Sequence, residues 1–212
     1  MTYSRQSPSP RYTELLGYYA EMHDEGEVQR GKSAEKTFDG RSLAVHINGI
    51  RRVTKHFGAK TLLDYGSGKA RFYENAVFQL PDRQVTGLKA LWSLDEVRLF
   101  DPGYAPYAAI PEGQYDAVVC TDVLEHIPEE DLPWVIDELF AYARQVVYAS
   151  VAIYAAAKIL PNGENAHVTL RPVEWWTSLF EVARSKTGRD VHYALVIERR
   201  FSDPEPPTIT SF

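Results

Sequence analysis

Residues 61–71 read Thr-Leu-Leu-Asp-Tyr-Gly-Ser-Gly-Lys-Ala-Arg, and the rest of the chain is organised around them. The apolar start is long enough for a buried parallel strand, which ends at a carboxylate, Asp64, followed by Gly66 and Gly68. The amphipathic stretch over 71–80 predicts a helix after the glycines. A strand, a glycine turn and a helix in this order build a nucleotide-type cofactor site, because glycine lets the backbone approach a ligand closely.

Length and composition restrict the class of protein. The 212 residues suit one domain, or one domain with a helical extension, and the hydrophobic (44%) and charged (25%) contents are those of a soluble globular protein. The formal charge is −6, so duplex nucleic acid is not expected as a partner. The single cysteine, Cys120, excludes an internal disulfide and fits a reducing compartment. With no membrane-length apolar run and no signal peptide, we expect a cytoplasmic protein without a membrane partner; the oligomeric state stays unknown.

Outward from the glycine turn, the pattern predicts alternating strands and helices. We expect a mobile tail over 1–10, helices from Tyr12 and over 41–57, and an insertion over 81–95 with a short strand at 84–88 and a helical turn at 89–94. Further strands are expected at 97–100, from 115, at 146–152 and at 191–198. One helix is expected after the strand that begins at 115, and another from Pro172. These elements predict an α/β fold with a doubly wound, mostly parallel sheet. The expected units are a tail and helical cap (1–58), a cofactor-binding domain (59–201) and a proline-rich tail (202–212).

Two motifs carry a resemblance to a known family. Residues 64–70, Asp-Tyr-Gly-Ser-Gly-Lys-Ala, match Asp-x-Gly-x-Gly-x-Gly with the last glycine changed to alanine. Residues 115–127, Tyr-Asp-Ala-Val-Val-Cys-Thr-Asp-Val-Leu-Glu-His-Ile, have an aromatic–Asp pair that opens a buried strand, with Leu-Glu-His after it. On these motifs the chain resembles the class I S-adenosylmethionine-dependent methyltransferases. It departs from their commonest pattern in lacking Pro-Gly-Gly before the fifth strand.

The resemblance implies a Rossmann-like methyltransferase fold with an N-terminal helical extension. It also implies S-adenosyl-L-methionine as the cofactor, bound by Asp64, Tyr65, Gly66, Ser67, Gly68, Asp101, Pro102, Thr121 and Asp122. Helices before the first strand often cover the site in this family, which makes Tyr18, Tyr19, His23 and Phe38 candidates for a lid.

Asp101 is assigned to the cofactor ribose although its spacing is unusual. In the resembled family a carboxylate after the second strand accepts hydrogen bonds from both ribose hydroxyls, about 20 residues past the glycines. Asp101 lies 33 residues past Gly68, and Lys89, near the usual distance, cannot accept such bonds. On the rival alignment Asp101 would end the third strand and contact the adenine.

Two hypotheses concern the acceptor. In the first, His167 is a catalytic general base in a polar cluster with Asn165, since its ordinary pKa suits proton transfer at neutral pH. In the second, Asp122, Glu125, His126 and His167 bind a divalent metal ion, with the first three expected on one helix face. This set is similar to the metal site of the small-RNA 3′-terminal ribose 2′-O-methyltransferases and the ubiquinone-pathway O-methyltransferases, with Asp122 replacing a glutamate.

The expected function is methyl transfer to an oxygen or nitrogen of a small-molecule or nucleotide/glycan-type acceptor. The alternative is a non-catalytic S-adenosylmethionine-binding regulatory or scaffold protein, because both classes need the same glycine turn. A nicotinamide-dependent oxidoreductase is disfavoured, since Arg71 stands where the dinucleotide motif has its third glycine.

Overall fold

The computed structural model describes residues 2–199 and 208–211, and it has an α/β architecture. The helices are α1 (Pro10–Glu25), α2 (Ile47–Phe57), α3 (Phe72–Asn75), α4 (Leu88–Trp92), α5 (Leu132–Tyr142) and α6 (Val173–Lys186). The strands are β1 (Thr61–Tyr65), β2 (Val77–Gln79), β3 (Gln84–Thr86), β4 (Glu96–Phe100), β5 (Tyr115–Thr121), β6 (Ala143–Ala152), β7 (His192–Glu198) and β8 (Thr208–Ser211). No described helix has the length and apolar character of a membrane span.

Five parallel strands form the central sheet, in the order β4-β1-β5-β6-β7, and β8 adds an antiparallel edge strand. Helices flank this sheet, as the sequence predicts, and the arrangement is compatible with a Rossmann-like fold. Strand β4 lies on one side of β1, whereas β5, β6 and β7 lie on the other side. A crevice therefore opens between the carboxyl ends of β1 and β5, where such sheets bind ligands.

The alternation of side chains along each strand divides the core into two layers. Leu62 and Leu63 are both fully buried but point to opposite faces of the sheet. Leu63 packs in the layer formed with α5 and α6, whereas Leu62 packs in the layer formed with α2 and α4. A strand covered on both faces must be apolar throughout, which explains the continuous hydrophobic runs of β5 and β6.

The helix predicted over 71–80 is wrong. Only Phe72–Asn75 is helical, and Ala76 turns into extended backbone (φ −72°, ψ 132°). The chain then forms the β2–β3 hairpin, which closes with a hydrogen bond from the Leu80 N–H to the Arg83 carbonyl (2.8 Å). The apolar residues Phe78 and Val85 face the α2–α4 core layer from paired strand positions, so the period-2 pattern prevails over the helical one.

Other expectations need smaller corrections. The helix expected over 41–57 is divided, with a 3₁₀ turn over Arg41–Val45 before α2. The segment before α1 is not a free tail, because Ser9 is fully buried and caps α1. The short strand, the helical turn and the 97–100 strand of the sequence analysis are confirmed by β3, α4 and β4. Most of the tail expected over 202–212 lies outside the described residues, but 208–211 form β8.

Candidate functional site

The carboxyl ends of β1, β4 and β5 open onto one cavity of about 870 Å³, its mouth included. Eight of the nine residues predicted to bind the cofactor line it: Tyr65, Gly66, Ser67, Gly68, Asp101, Pro102, Thr121 and Asp122. The opposite wall comes from α1 and the 38–42 segment.

The glycine turn requires glycine at two positions. Gly66 (φ +84°) and Gly68 (φ +56°) have left-handed backbone conformations, which side chains disfavour. A Cβ on Gly66 would lie 2.3 Å from Val123, and a Cβ on Gly68 would lie 2.6 Å from the carbonyl oxygen of Phe38. The turn is thus packed against two other walls of the cavity, and its shape determines the shape of the site.

Asp101 connects β4 to the glycine turn. Its Oδ2 accepts a hydrogen bond from the Gly68 N–H (2.8 Å), and its Oδ1 accepts one from the Gly103 N–H (2.9 Å). Burial raises the pKa of Asp101, and these N–H groups act in the opposite direction. Because β4 pairs directly with β1, Asp101 ends the strand next to the first one.

Asp64 is the one predicted cofactor residue that does not line the main cavity. It is 4% exposed, lines a smaller adjoining pocket, and accepts a hydrogen bond from the Tyr73 hydroxyl (2.8 Å). Burial raises the pKa of Asp64 to about 7, despite the Tyr73 hydrogen bond. The carboxylate of the motif therefore stands behind the glycine turn rather than in the cavity.

Three of the four lid candidates line the cavity. Tyr19, His23 and Phe38 do so, whereas Tyr18 does not, and its hydroxyl donates to Glu14 (3.0 Å) instead. Tyr19 and His23 are one helical turn apart in α1, so they face the same side. The helix thereby covers both ends of the cavity, with His23 near Asp101 and Tyr19 near His126.

Asp122, His126 and His167 form a cluster of possible metal ligands at the other end. One ligand atom from each lies within 4.8 Å of the others, and the Asp122 Oδ1 is 3.9 Å from the Nε2 of each histidine. Two ligands of one ion at ~2.1 Å lie up to about 4.2 Å apart, so both 3.9 Å separations fit a shared ion. Asp122 and His126 line the cavity, and His167 stands beside them, 7% exposed.

Backbone carbonyls set which nitrogen of each histidine faces the cluster. The Nδ1 of His126 is 2.8 Å from the Ala166 carbonyl oxygen, and the Nδ1 of His167 is 2.6 Å from that of Tyr154. A carbonyl only accepts, so these contacts place a proton on each Nδ1, and the Nε2 atom of each ring is the one on the Asp122 side. Metal-binding histidines are oriented in the same way.

Electrostatics keep Asp122 and His167 in ligand form. Burial acts to raise the pKa of Asp122, but His126, Lys158 and His167 outweigh it and lower the pKa to about 2. Burial lowers the pKa of His167, as does the nearby His126. At neutral pH the cluster therefore offers one carboxylate and a neutral His167, which suits several divalent ions.

Glu125 lies outside this cluster. Residues 124–126 form a 3₁₀ turn, and Asp122 precedes it with φ +57°, so the expected common helix face does not exist. The Glu125 side chain is fully buried, and its Oε1 accepts a hydrogen bond from the Ala152 N–H (2.7 Å). Burial and the charge of Asp122 raise its pKa well above the usual range. Glu125 is placed to join β5 to β6 rather than to hold an ion.

Asn165, predicted to be catalytic, uses its amide to shape the loop. Its Oδ1 accepts hydrogen bonds from the N–H groups of Ala156 and His167 (both 3.0 Å), and its Nδ2 donates to the Ala156 carbonyl (2.9 Å). These bonds place His167 beside Asp122. Asn165 does not line the cavity.

Lys158 is a cavity residue that the sequence reasoning missed. Its ammonium lies 4.2 Å from the centre of the Phe38 ring, and Lys158 lines the cavity together with Phe38 and Asp122. Burial lowers its pKa, and the charges of Asp122 and Glu27 act to raise it. A single lysine after an alanine run gives no motif, so only the folded loop could reveal it.

Together, the fold and cavity define an α/β protein with a candidate ligand site at the point where the strand order reverses. Comparisons of the chain with protein-family models, curated proteins and solved structures gave no match.

Proposed function

We propose that this chain is an S-adenosylmethionine-dependent methyltransferase that transfers a methyl group to an oxygen or nitrogen of a small-molecule or nucleotide/glycan-type acceptor. The observation that carries the proposal is that one cavity joins the glycine turn and Asp101 to the polar cluster of Asp122, His126 and His167. Group transfer needs the donor and the acceptor to be held in one cavity, next to side chains that can orient the acceptor or remove its proton.

The cofactor fits the residues present. The Gly66–Gly68 turn lines the cavity, and its glycines have no side chain, and Asp101 has oxygen lone pairs beyond those used by Gly68 and Gly103. When bound, the cofactor supplies a methyl group already activated by its sulfonium. The protein then has to align the acceptor for in-line attack and remove a proton where the acceptor carries one.

The polar cluster supplies the acceptor end in this proposal. Asp122, His126 and His167 would hold a divalent ion, whose chemistry is to orient and polarise an acceptor oxygen. Without an ion, the Nε2 of His167 remains able to take a proton, because its lone pair is kept free by the Nδ1 contact with Tyr154. These are the two acceptor hypotheses, and both use the same histidine.

Calorimetry with S-adenosylhomocysteine tests the cofactor part. We expect micromolar or tighter binding, and Asp101→Ala should weaken it by about 1.5–3 kcal/mol, as for a charge-assisted hydrogen bond. Lys89→Ala is the matched control, because Lys89 is exposed on α4 and does not line the cavity. No heat with the wild type would refute the proposal. Binding without methyl transfer to any acceptor would favour the regulatory alternative.

A further inference from the structure

The ring of His23 is fixed at the Asp101 end of the cavity. The residue is 5% exposed, and its ring lies between Phe38 (centroids 4.6 Å apart) and Tyr104 (4.8 Å apart, planes at 24°). A side chain held between two aromatic rings has little rotational freedom, so its nitrogen atoms point in set directions.

The surroundings decide where its proton lies. Burial lowers the pKa of His23 to about 4, with Lys69 and Lys158 acting in the same direction, so the ring is neutral at pH 7. Its Nδ1 is buried and has no hydrogen-bond partner. Because a buried N–H without an acceptor is costlier than an unused lone pair, we assign the proton to Nε2.

Nε2 faces the carboxylate of Asp101 across a gap. The distance from Nε2 to the Asp101 Oδ2 is 3.8 Å, which is too long for a hydrogen bond. That Oδ2 accepts the Gly68 N–H and has a second lone pair available. An oxygen atom about 2.8 Å from both atoms would bridge the gap with ordinary hydrogen-bond lengths.

We propose that His23 and Asp101 together bind one hydroxyl group of the ligand, with His23 Nε2 donating to its oxygen and Asp101 Oδ2 accepting its proton. Only a group that accepts and donates through one oxygen satisfies both partners, which excludes ethers and carbonyls; a water molecule meets this requirement, and among the groups of a ligand a hydroxyl does. The inference rests on the proposed function, since the hydroxyl concerned is then one of the two on the cofactor ribose. His23 becomes a residue that distinguishes a ribose from a deoxyribose.

The test is a set of calorimetric titrations with S-adenosylhomocysteine and its 2′-deoxy and 3′-deoxy analogues. The wild type should bind one analogue about tenfold or more weakly than the parent compound. His23→Phe keeps the ring stack and should bind the parent about tenfold more weakly, yet bind that same analogue as the wild type does. Tyr104→Phe is the control, because it keeps the stack and changes a residue outside the cavity lining.

The outcomes separate this inference from the proposed function. If the wild type binds no S-adenosylhomocysteine, the proposed function fails and the ribose assignment fails with it. If the wild type binds it but His23→Phe weakens all three ligands equally, or none, only the hydroxyl bridge is refuted. Thermal unfolding of His23→Phe accompanies the titrations, and His23→Gln, which restores an N–H donor, should recover part of the lost discrimination.

Discussion

Strained backbone positions concentrate around the cavity. Phe38 (φ 51°), Ala70 (φ 49°) and Asp122 (φ 57°) are three of the four described non-glycine residues in the left-handed region, and they belong to the glycine turn or the walls beside it, whereas Ser93 (φ 58°) ends α4. Ala70 replaces the last glycine of the motif, and its backbone keeps a conformation that glycine would adopt without strain. Such strain is retained where the surrounding structure holds it, which is common at ligand sites.

Replacement of Gly68 should abolish cofactor binding, because the new side chain would clash with the backbone of Phe38. In Gly68→Ala, the left-handed backbone of an alanine destabilises the folded protein by roughly 1 kcal/mol. The new Cβ would also lie 2.6 Å from the Phe38 carbonyl oxygen, which must move. Gly113→Ala has a similar strain (φ +72°) but no atom within 4 Å of the new Cβ. We expect S-adenosylhomocysteine titrations to show loss of binding for Gly68→Ala alone. Equal affinities for the two variants would contradict the role given to the turn.

Asp64 should make stability fall as the pH rises. Its pKa is about 7 in the folded protein and near ~3.9 when unfolded, so folding favours the protonated form. Its stabilising contribution is complete below pH ~4 and is lost as the pH rises through 7, by roughly 4 kcal/mol at most. Asp64→Asn should remove this slope from urea unfolding at pH 4–7, whereas the exposed Asp82→Asn should not. Parallel pH profiles for wild type and Asp64→Asn would show the carboxyl to be ionised when folded.

The metal hypothesis predicts different effects on Mn²⁺ affinity for substitutions of the neighbouring acidic residues Asp122 and Glu125. Asp122→Asn should weaken Mn²⁺ binding by about tenfold or more, because a ligand charge is lost. Glu125→Gln should leave Mn²⁺ affinity within about threefold, because that side chain bonds to Ala152 outside the cluster. Calorimetry with Mn²⁺ on both variants decides the matter. Failure of the wild type to bind Mn²⁺ or Zn²⁺ would leave His167 as a base only.

At the scale of elements, the segment before α1 is held by a network of charged side chains. Arg5 forms an ion pair with Glu138 of α5 and donates to the hydroxyl of Tyr65 (2.7 Å), and its guanidinium lies over the rings of Phe100 and Trp134. Tyr65 lines the cavity. The N-terminal segment therefore joins α1, which lines the cavity, to the sheet.

Loss of the Arg5 side chain should lower the free energy of unfolding more than loss of the more exposed Arg11 side chain. Arg5→Ala removes a largely buried charge from between Glu138 and Tyr65 and should lower the free energy of unfolding by about 2 kcal/mol. Arg11→Ala removes an exposed pair with Glu14 and Glu164 and should have a much smaller effect. Chemical denaturation of both variants measures the difference. Similar losses would mean that the Arg5 network does not anchor the segment.

At the scale of the whole molecule, the cavity is bounded by segments from six separate parts of the chain. These are α1, the 38–42 segment, the carboxyl ends of β1 and β4, and the 121–128 region with Lys158. A ligand in the cavity contacts several of them at once. Its binding should therefore stabilise parts of the chain that are far apart in sequence.

Hydrogen exchange should reveal this linkage. With saturating S-adenosylhomocysteine, we expect slower amide exchange in residues 10–25, 38–42, 66–68 and 101–103, because local opening of the lid then requires release of the ligand. Helix α6 lies in the core layer against α5 and contributes no cavity residue, so its exchange should change only through global stability. Protection confined to the glycine turn would mean that α1 does not act as a lid.

The sequence by itself determined the parallel strands of the central sheet and the glycine turn. The apolar runs of β1, β5 and β6 need burial on both faces, and Gly66 and Gly68 need backbone freedom, so both signals are local and readable without a structure. Only the tertiary structure decided that 77–86 form a hairpin, that Glu125 is turned away from the cluster, and that His23 faces Asp101. These depend on packing between residues far apart in the chain, where competing local patterns differ little in energy and burial selects one of them.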